Sequence, residues 1–241
     1  MSTINDHLVL IVGPSTGGKS ASLMNLPAPE GVFYLNCESG KRLPFPAKFK
    51  QFTITDPYQV YQGFQAAESK QDVHTIIVDT LTFMMDMYES VHVIDSENGQ
   101  KAWQSYQQFF KNLMQEHVAK STKNVIFLAH TLQVMNSQEM IMETKVPVKG
   151  ALKNTGIESY FSVVVAAKRV PVTLLMDYDN PMLDITPEEE AVGYKHVYQT
   201  QLTKDTVHER LRAPIGMWKT EETFINNDAA LLMDRLQEYY N

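Results

Sequence analysis

The chain has 241 residues, of which 44% are hydrophobic, so it can bury one sizeable core. Its formal charge of −7 argues against a surface that is basic all over, so any contact with nucleic acid has to come from a local patch. No basic residue precedes the short apolar run at 8–12, so we expect neither a signal peptide nor a membrane span. The single cysteine, Cys37, cannot form a disulfide within the chain, which favours a reducing, cytoplasmic location.

Short, β-branched apolar runs alternate with segments of helical character, a pattern typical of a parallel sheet covered by helices. The apolar runs predict strands at about 7–12, 31–36, 74–79, 124–130 and 159–167, and a last strand at about 194–203. The other segments predict helices at about 19–25, 57–69, 80–92 and 100–119, and a closing helix at about 228–240. Pro27 and Pro29 indicate that the first of these helices is short. We therefore expect an α/β fold in one domain spanning 1–241, with a core at about 5–170 and a C-terminal extension at about 171–241.

A glycine-rich segment follows the first predicted strand and fits the pattern G-x-x-x-x-G-K-[ST] from Gly13 to Ser20; we call it the phosphate loop. In this pattern the glycines let backbone N–H groups point at phosphate oxygens, and the helix that follows adds its positive dipole end. Lys19 is expected to reach the β- and γ-phosphates, and the Ser20 hydroxyl to bind Mg²⁺. The sequence therefore predicts a nucleotide site formed by Gly13, Pro14, Ser15, Thr16, Gly17, Gly18, Lys19, Ser20 and Ala21.

Polar residues end three further apolar strands, at the edge where open sheets place their ligands. Asp79 ends the strand at 74–79, as expected of a Walker B aspartate that holds Mg²⁺. Its neighbour is Thr80 rather than glutamate, so a catalytic base has to come from elsewhere. Glu38, just past the second strand, can orient a water molecule against the γ-phosphate, and a solvated loop glutamate is the alternative interpretation. His130 is either a sensor of the γ-phosphate or a structural histidine.

The phosphate loop, Glu38, the pair Asp79 and Thr80, and His130 occur in an order that resembles the RecA-like branch of P-loop ATPases. Specifically, they resemble small phage-type proteins, among them phage single-strand annealing proteins. The resemblance covers about residues 5–170 and implies a RecA-like P-loop NTPase fold. That fold has a mostly parallel twisted sheet flanked by helices, here with a C-terminal β extension and a terminal helix. The resemblance also implies that Glu38 is the catalytic base, that Lys19 and His130 share in catalysis, and that ATP and Mg²⁺ are the cofactors.

Relatives of this kind bind ATP between neighbouring subunits, so the resemblance implies self-association into a ring or filament. The candidates for basic residues that reach a neighbour's γ-phosphate are Lys204, Arg210 and Arg212, and an exposed charged turn explains them equally well. A single-stranded-DNA-binding protein is a candidate partner, and no membrane contact is expected. If a phage encodes the protein, its location is the cytoplasm of the bacterial host.

The stretch from Gln133 to Lys149 is polar and rich in methionine, and predicts a hairpin or a mobile loop. By resemblance it faces single-stranded DNA, with Lys145, Lys149 and Lys153 available to the phosphates. It contains no aromatic residue for base stacking and is not glycine-rich. Annealing, or an accessory role in recombination, therefore fits better than full strand exchange.

Two other classes of function stay open. A motor or helicase loader related to ring helicases shares the core and a glutamate after the second strand. An ATP-controlled switch of protein assembly, without DNA binding, would fit the acidic charge. A small-molecule kinase fits less well, because Arg42 is the one arginine between the phosphate loop and Asp79, where an arginine-rich lid would lie.

Overall fold

A large, mostly parallel β-sheet forms the centre of the protein, which we describe from a computed structural model over residues 5–137 and 139–240. In the order of the chain, the strands of this described part are β1 (Leu8–Gly13), β2 (Val32–Asn36), β3 (Lys50–Thr53), β4 (Thr75–Asp79), β5 (Asn124–His130), β6 (Leu132–Asn136), β7 (Ile141–Lys145), β8 (Val163–Pro171), β9 (Tyr194–Gln199) and β10 (Phe224–Asn226). Eight of them form one sheet in the order β10-β9-β8-β1-β5-β4-β2-β3, and β6 and β7 form a separate hairpin. The strands from β8 to β3 are parallel, whereas β9 and β10 add antiparallel pairs beyond β8.

Helices cover both faces of this sheet. The helices of the described residues are α1 (Gln59–Glu68), α2 (Leu81–His92), α3 (Gly99–Asn112), α4 (Leu152–Thr155), α5 (Val172–Leu175), α6 (Pro187–Val192) and α7 (Ala229–Tyr240). A π-helical turn at Leu113–Val118 continues α3. Within the described residues, every helix is too short or too polar to span a lipid bilayer.

Both faces of the central strands are buried. In β1, Leu10 and Val12 belong to the apolar cluster formed with α1, α2 and α3, whereas Val9 and Ile11 belong to the cluster on the other face, which includes Leu232 of α7. Successive side chains of a strand point to opposite faces, so a strand covered on both sides needs a continuous apolar run. This requirement is why the central strands can be recognised in the sequence.

The predicted fold class is confirmed: an α/β P-loop fold with a mostly parallel sheet, a C-terminal β extension and a terminal helix. The helix predicted at about 19–25 is wrong, because the chain there forms only a three-residue 3₁₀ turn, Ala21–Leu23. Leu23 is buried in the cluster that contains α7, and Pro27 and Pro29 follow closely, so packing and chain breakers end the turn early. The alternative of a hairpin at 133–149 is confirmed by β6 and β7.

The packing of β5 predicts a large loss of stability on truncation. Phe127 is fully buried, with its ring centroid 5.4 Å from Phe161 and 6.5 Å from Phe64. Phe127→Ala should lower the free energy of unfolding by about 3–5 kcal/mol in urea titrations. The control Ile94→Ala, at a side chain that is 67% exposed, should change it by less than about 0.5 kcal/mol. Equal effects of the two substitutions would contradict this account of the core.

Candidate nucleotide-binding site

The phosphate loop is folded tightly against the end of the sheet. A Cβ atom at Gly13 would lie 2.3 Å from the backbone oxygen of Ala167 in β8, so only glycine fits this close approach. Gly18 has φ +98°, a left-handed conformation that glycine adopts without strain. The N–H of Gly17 donates to the oxygen of Pro14 at 3.1 Å, which closes a turn inside the loop. The glycine spacing that identifies the motif is therefore explained by local geometry.

The Lys19 side chain is buried and lies across the mouth of this loop. Its Nζ donates to the backbone oxygens of Gly13, at 2.9 Å, and Pro14, at 2.8 Å. Burial lowers the pKa of Lys19 to about 8, an effect that the nearby carboxylates of Asp79 and Glu38 oppose. At neutral pH the ammonium group remains largely charged, so a buried cation faces the place where the motif predicts phosphates.

Asp79 ends β4 beside the phosphate loop, as predicted. Its Oδ2 accepts hydrogen bonds from the Ser20 hydroxyl, at 2.9 Å, and from the Tyr34 hydroxyl, at 2.5 Å. Its Oδ1 is buried and has no hydrogen-bond partner among the described residues. Burial raises the pKa of Asp79, and an adjacent cation would offset that cost.

A buried carboxylate oxygen without a partner, next to a serine hydroxyl, fits Mg²⁺, which prefers oxygen ligands. The described residues contain no cluster of three or more His, Cys, Asp or Glu side chains that could hold a metal ion. Mg²⁺ commonly takes one or two protein ligands and completes its shell with substrate phosphates and water, so Ser20 and Asp79 are a sufficient set.

His130 joins the phosphate loop to Glu38. Its Nε2 lies 3.1 Å from Glu38 Oε1, and its Nδ1 lies 3.4 Å from Lys19 Nζ. The lysine can only donate, so these contacts fit the tautomer in which Nδ1 accepts from Lys19 and Nε2–H donates to Glu38. The predicted base and the predicted sensor, 92 positions apart in the chain, are therefore in direct contact.

Glu38 is held at both carboxylate oxygens. Besides His130 on Oε1, Lys41 Nζ donates to Oε2 at 2.9 Å. The hydrogen bond with His130 and the pairing with Lys41 lower the pKa of Glu38 to about 2, against the opposing effect of burial. Glu38 is therefore ionised at neutral pH.

These side chains line one cleft of about 230 Å³. Ser15 to Ala21 of the phosphate loop form one wall, and Glu38, Asp79 and His130 lie around the rest. Gly13 and Pro14 border a neighbouring cavity of about 250 Å³ instead. The cleft thus brings together the predicted phosphate, metal and catalytic residues from four separate segments of the chain.

A comparison with models of protein families shows which family the chain belongs to. The family model described as an AAA domain, AAA_24, matches residues 6–207. The chain belongs to the AAA_24 family. A search of the curated proteins finds no match. Among solved structures, the chain is similar to the "Crystal structure of the RadB recombinase", with a TM-score of 0.41, 15% identity, and coverage of 70% of this chain and 77% of that chain.

Membership of AAA_24 makes the chain a P-loop NTPase of the ATPase type, a class that uses a nucleotide and usually Mg²⁺. Four residues that line the cleft, Tyr34, Lys41, Arg42 and Pro44, were not predicted as site residues, and two of them contact predicted ones. Tyr34 is a polar-tipped side chain within the apolar strand β2, and Lys41 follows Glu38 by three residues. These two sequence features could have indicated Tyr34 and Lys41 as candidates. Their contacts could not be predicted, because they depend on how the strands pack.

The basic residues predicted to contact a neighbouring subunit or DNA lie outside this cleft in the AAA_24 chain. Arg210 pairs with Glu158, at 3.4 Å, and with Glu143, at 3.7 Å. Arg212 donates to the backbone oxygen of Ser159 at 3.2 Å, and Lys204 is exposed. In and near the hairpin, Lys145 pairs with Glu143, Lys149 pairs with Glu89, and Lys153 is exposed. Their predicted roles toward a neighbouring subunit or DNA stay predictions.

The low pKa of Glu38 predicts a pH-dependent contribution to stability. A carboxyl group with a lower pKa in the folded chain stabilises the fold above its unfolded pKa of about 4.3, and this contribution is lost as the pH falls toward the folded value. The urea midpoint of Glu38→Gln should therefore fall below that of wild type at pH 7, and the gap should narrow from about pH 4.5 downward. The same gap at pH 7 and pH 3 would contradict the assigned pairing with His130 and Lys41.

Proposed function

We propose that this protein is an ATP-binding and ATP-hydrolysing RecA-like enzyme of the small phage type. We further propose that it assembles on single-stranded DNA and promotes annealing or recombination. The observation that carries the proposal is the convergence of Lys19, Glu38, Asp79 and His130 on one cleft. Lys19 and Glu38 follow β1 and β2, whereas Asp79 and His130 are the last residues of β4 and β5. All four therefore lie at the carboxyl ends of neighbouring parallel strands.

Each residue has a role that its surroundings support. Lys19 binds phosphate oxygens by exchanging the carbonyls of Gly13 and Pro14 for them. Ser20 and Asp79 would hold Mg²⁺, whose charge would offset that of the phosphates. Glu38 orients a water molecule through a carboxylate oxygen, and His130 links that carboxylate to Lys19. A phosphate that draws Lys19 away from His130 thereby changes the hydrogen bonding of Glu38.

Glu38 is favoured as the base because Thr80 cannot serve. Thr80 follows Asp79, is buried, and accepts a hydrogen bond from the Thr82 hydroxyl at 3.1 Å. Its side chain carries no carboxylate and is engaged within the protein. Glu38 carries one, it lines the cleft, and it is ionised, which is the state that orients water.

The hairpin of β6 and β7 supports the DNA part of the proposal. Leu132 begins β6 two positions after His130, and the N–H of Thr131 between them donates to the oxygen of Gly13 at 3.1 Å. A single residue, Thr131, therefore lies between His130 in the cleft and the hairpin. Lys153 is exposed beyond the hairpin, and Lys145 and Lys149 could contact a nucleic-acid backbone in exchange for their pairs with Glu143 and Glu89. The net charge of −7 favours the alternative, an ATP-controlled switch of protein assembly without DNA binding.

Two substitutions should separate binding from hydrolysis. Lys19→Ala should abolish nucleotide binding, because it removes the buried cation of the cleft. Glu38→Gln should retain binding and lower turnover by about 10²-fold or more, because it removes the charged group that orients water. Binding is measured with a fluorescent ATP analogue and turnover by phosphate release. Unchanged turnover in Glu38→Gln would move the base to another residue.

DNA binding should depend on ATP and on salt. We expect the chain to retain a single-stranded oligonucleotide in the presence of ATP or a non-hydrolysable analogue, with affinity falling as salt rises. Replacing Lys145, Lys149 and Lys153 by alanine should weaken retention about tenfold or more and flatten its salt dependence. The matched control replaces three lysines outside this region, Lys48, Lys50 and Lys120, by alanine. Absence of binding at low salt with nucleotide present would exclude this function and favour the assembly switch.

A further inference from the structure

Two residues of the C-terminal extension form hydrogen bonds with backbone oxygens of the phosphate loop. His196 of β9 has its Nε2 3.2 Å from the backbone oxygen of Thr16, and Asn227 donates from Nδ2 to the backbone oxygen of Gly18 at 2.9 Å. We call His196 and Asn227 the clasp. They lie about 180 and 209 positions from their partners in the chain. Neither belongs to the phosphate-loop motif.

The clasp acts on the two loop residues whose backbone is left-handed. Thr16 has φ 70° and Gly18 has φ 98°. A left-handed conformation is uncommon for threonine, so it needs support from its surroundings. The hydrogen bond from His196, with Nε2 as the donor, supplies such support at the Thr16 carbonyl.

Peptide geometry connects the clasp to phosphate binding. In a planar trans peptide the N–H points opposite to the carbonyl of the preceding residue. Asn227 and the N–H of Ser22, at 3.0 Å, both donate to the Gly18 carbonyl and fix its direction. The N–H of Lys19 is therefore directed away from the extension, as a donor to a phosphate has to be.

A second layer of contacts secures the same junction. The Tyr198 hydroxyl of β9 donates to the Ser22 hydroxyl, and Asn25 donates to Asp228 at 2.8 Å. Leu232 of α7 belongs to the same buried cluster as Leu23. In this chain the phosphate loop leads into a three-residue 3₁₀ turn, so the extension provides rigidity that a longer helix would otherwise provide.

We propose that His196 and Asn227 are positioning residues that hold the phosphate loop in its nucleotide-binding conformation, which makes the C-terminal extension part of the nucleotide site. This inference rests on the proposed nucleotide binding. Losing either hydrogen bond should weaken the affinity for a magnesium–nucleotide complex by about 3- to 10-fold while Lys19, Ser20 and Asp79 stay in place.

The test measures the dissociation constant of a fluorescent ADP analogue with Mg²⁺ on the full chain. His196→Ala and Asn227→Ala should raise it, whereas His196→Gln, which keeps an N–H donor, should restore most of the affinity. The matched control is Asn180→Ala. Asn180 donates to the backbone oxygens of Glu221, at 2.8 Å, and Phe224, at 3.1 Å, so its loss loosens the extension without touching the phosphate loop.

The outcomes are distinguishable. Unchanged affinity in both clasp variants, or an equal loss in Asn180→Ala, would overturn the inference while leaving nucleotide binding intact. A wild-type chain that binds no nucleotide would overturn the proposed function itself, and this inference with it.

A measurement on the wild-type chain keeps the inference testable if the variants do not fold. Binding of the nucleotide analogue should slow amide hydrogen exchange in β9 and at 224–229, besides the phosphate loop. Protection confined to the phosphate loop would overturn the role of the clasp.

Discussion

The burial of opposite charges in one cleft is the constraint on which the rest of the site depends. The Lys19 ammonium and the Asp79 carboxylate are both almost fully buried. Burial lowers the pKa of Lys19 and raises the pKa of Asp79, so it disfavours the charged form of each. Hydrogen bonds offset the cost of burying each charge only in part. Lys19 donates to two carbonyl oxygens, and one oxygen of Asp79 accepts from two hydroxyl groups. A ligand that brings negative phosphates to Lys19 and a divalent cation to Asp79 compensates both at once. The arrangement therefore favours the magnesium complex of a nucleotide over either component alone.

His130 connects the parts of this binding site to one another. Lys19, His130 and Glu38 form a continuous chain of contacts, and Thr131 connects the same point to the hairpin. Two partners, His130 and Lys41, restrain the Glu38 carboxylate, and the same contacts lower its pKa. If Glu38 is the base, as proposed, then His130 and Lys41 are the residues through which its action on water would be controlled.

The parts of this site that could be predicted from the sequence are those set by the parallel sheet. Glu38, Asp79 and His130 each end or follow a buried strand, and parallel neighbours bring such ends to one edge. The 3₁₀ turn at Ala21–Leu23 could not be predicted, because it is set by packing of Leu23 in the cluster that contains α7, some 200 positions away. The clasp residues were missed for the same reason. β3 was missed because its residues, Lys50–Thr53, form a largely exposed edge strand without an apolar run.

Lys204, Arg210 and Arg212 differ in how easily each could leave its present contacts to reach a neighbouring subunit. Arg210 pairs with Glu158, whose side chain is only 5% exposed, so moving the arginine would leave a buried carboxylate unpaired. An interface that recruits Arg210 must supply Glu158 with another donor besides the N–H of Val146. Arg212 would give up one hydrogen bond to a backbone oxygen, and Lys204 is already exposed. Recruitment of Lys204 or Arg212 is therefore the less costly arrangement, and Arg210 is better explained as the residue that fixes its loop beside the hairpin, where Glu209 forms a β-bridge with Thr144.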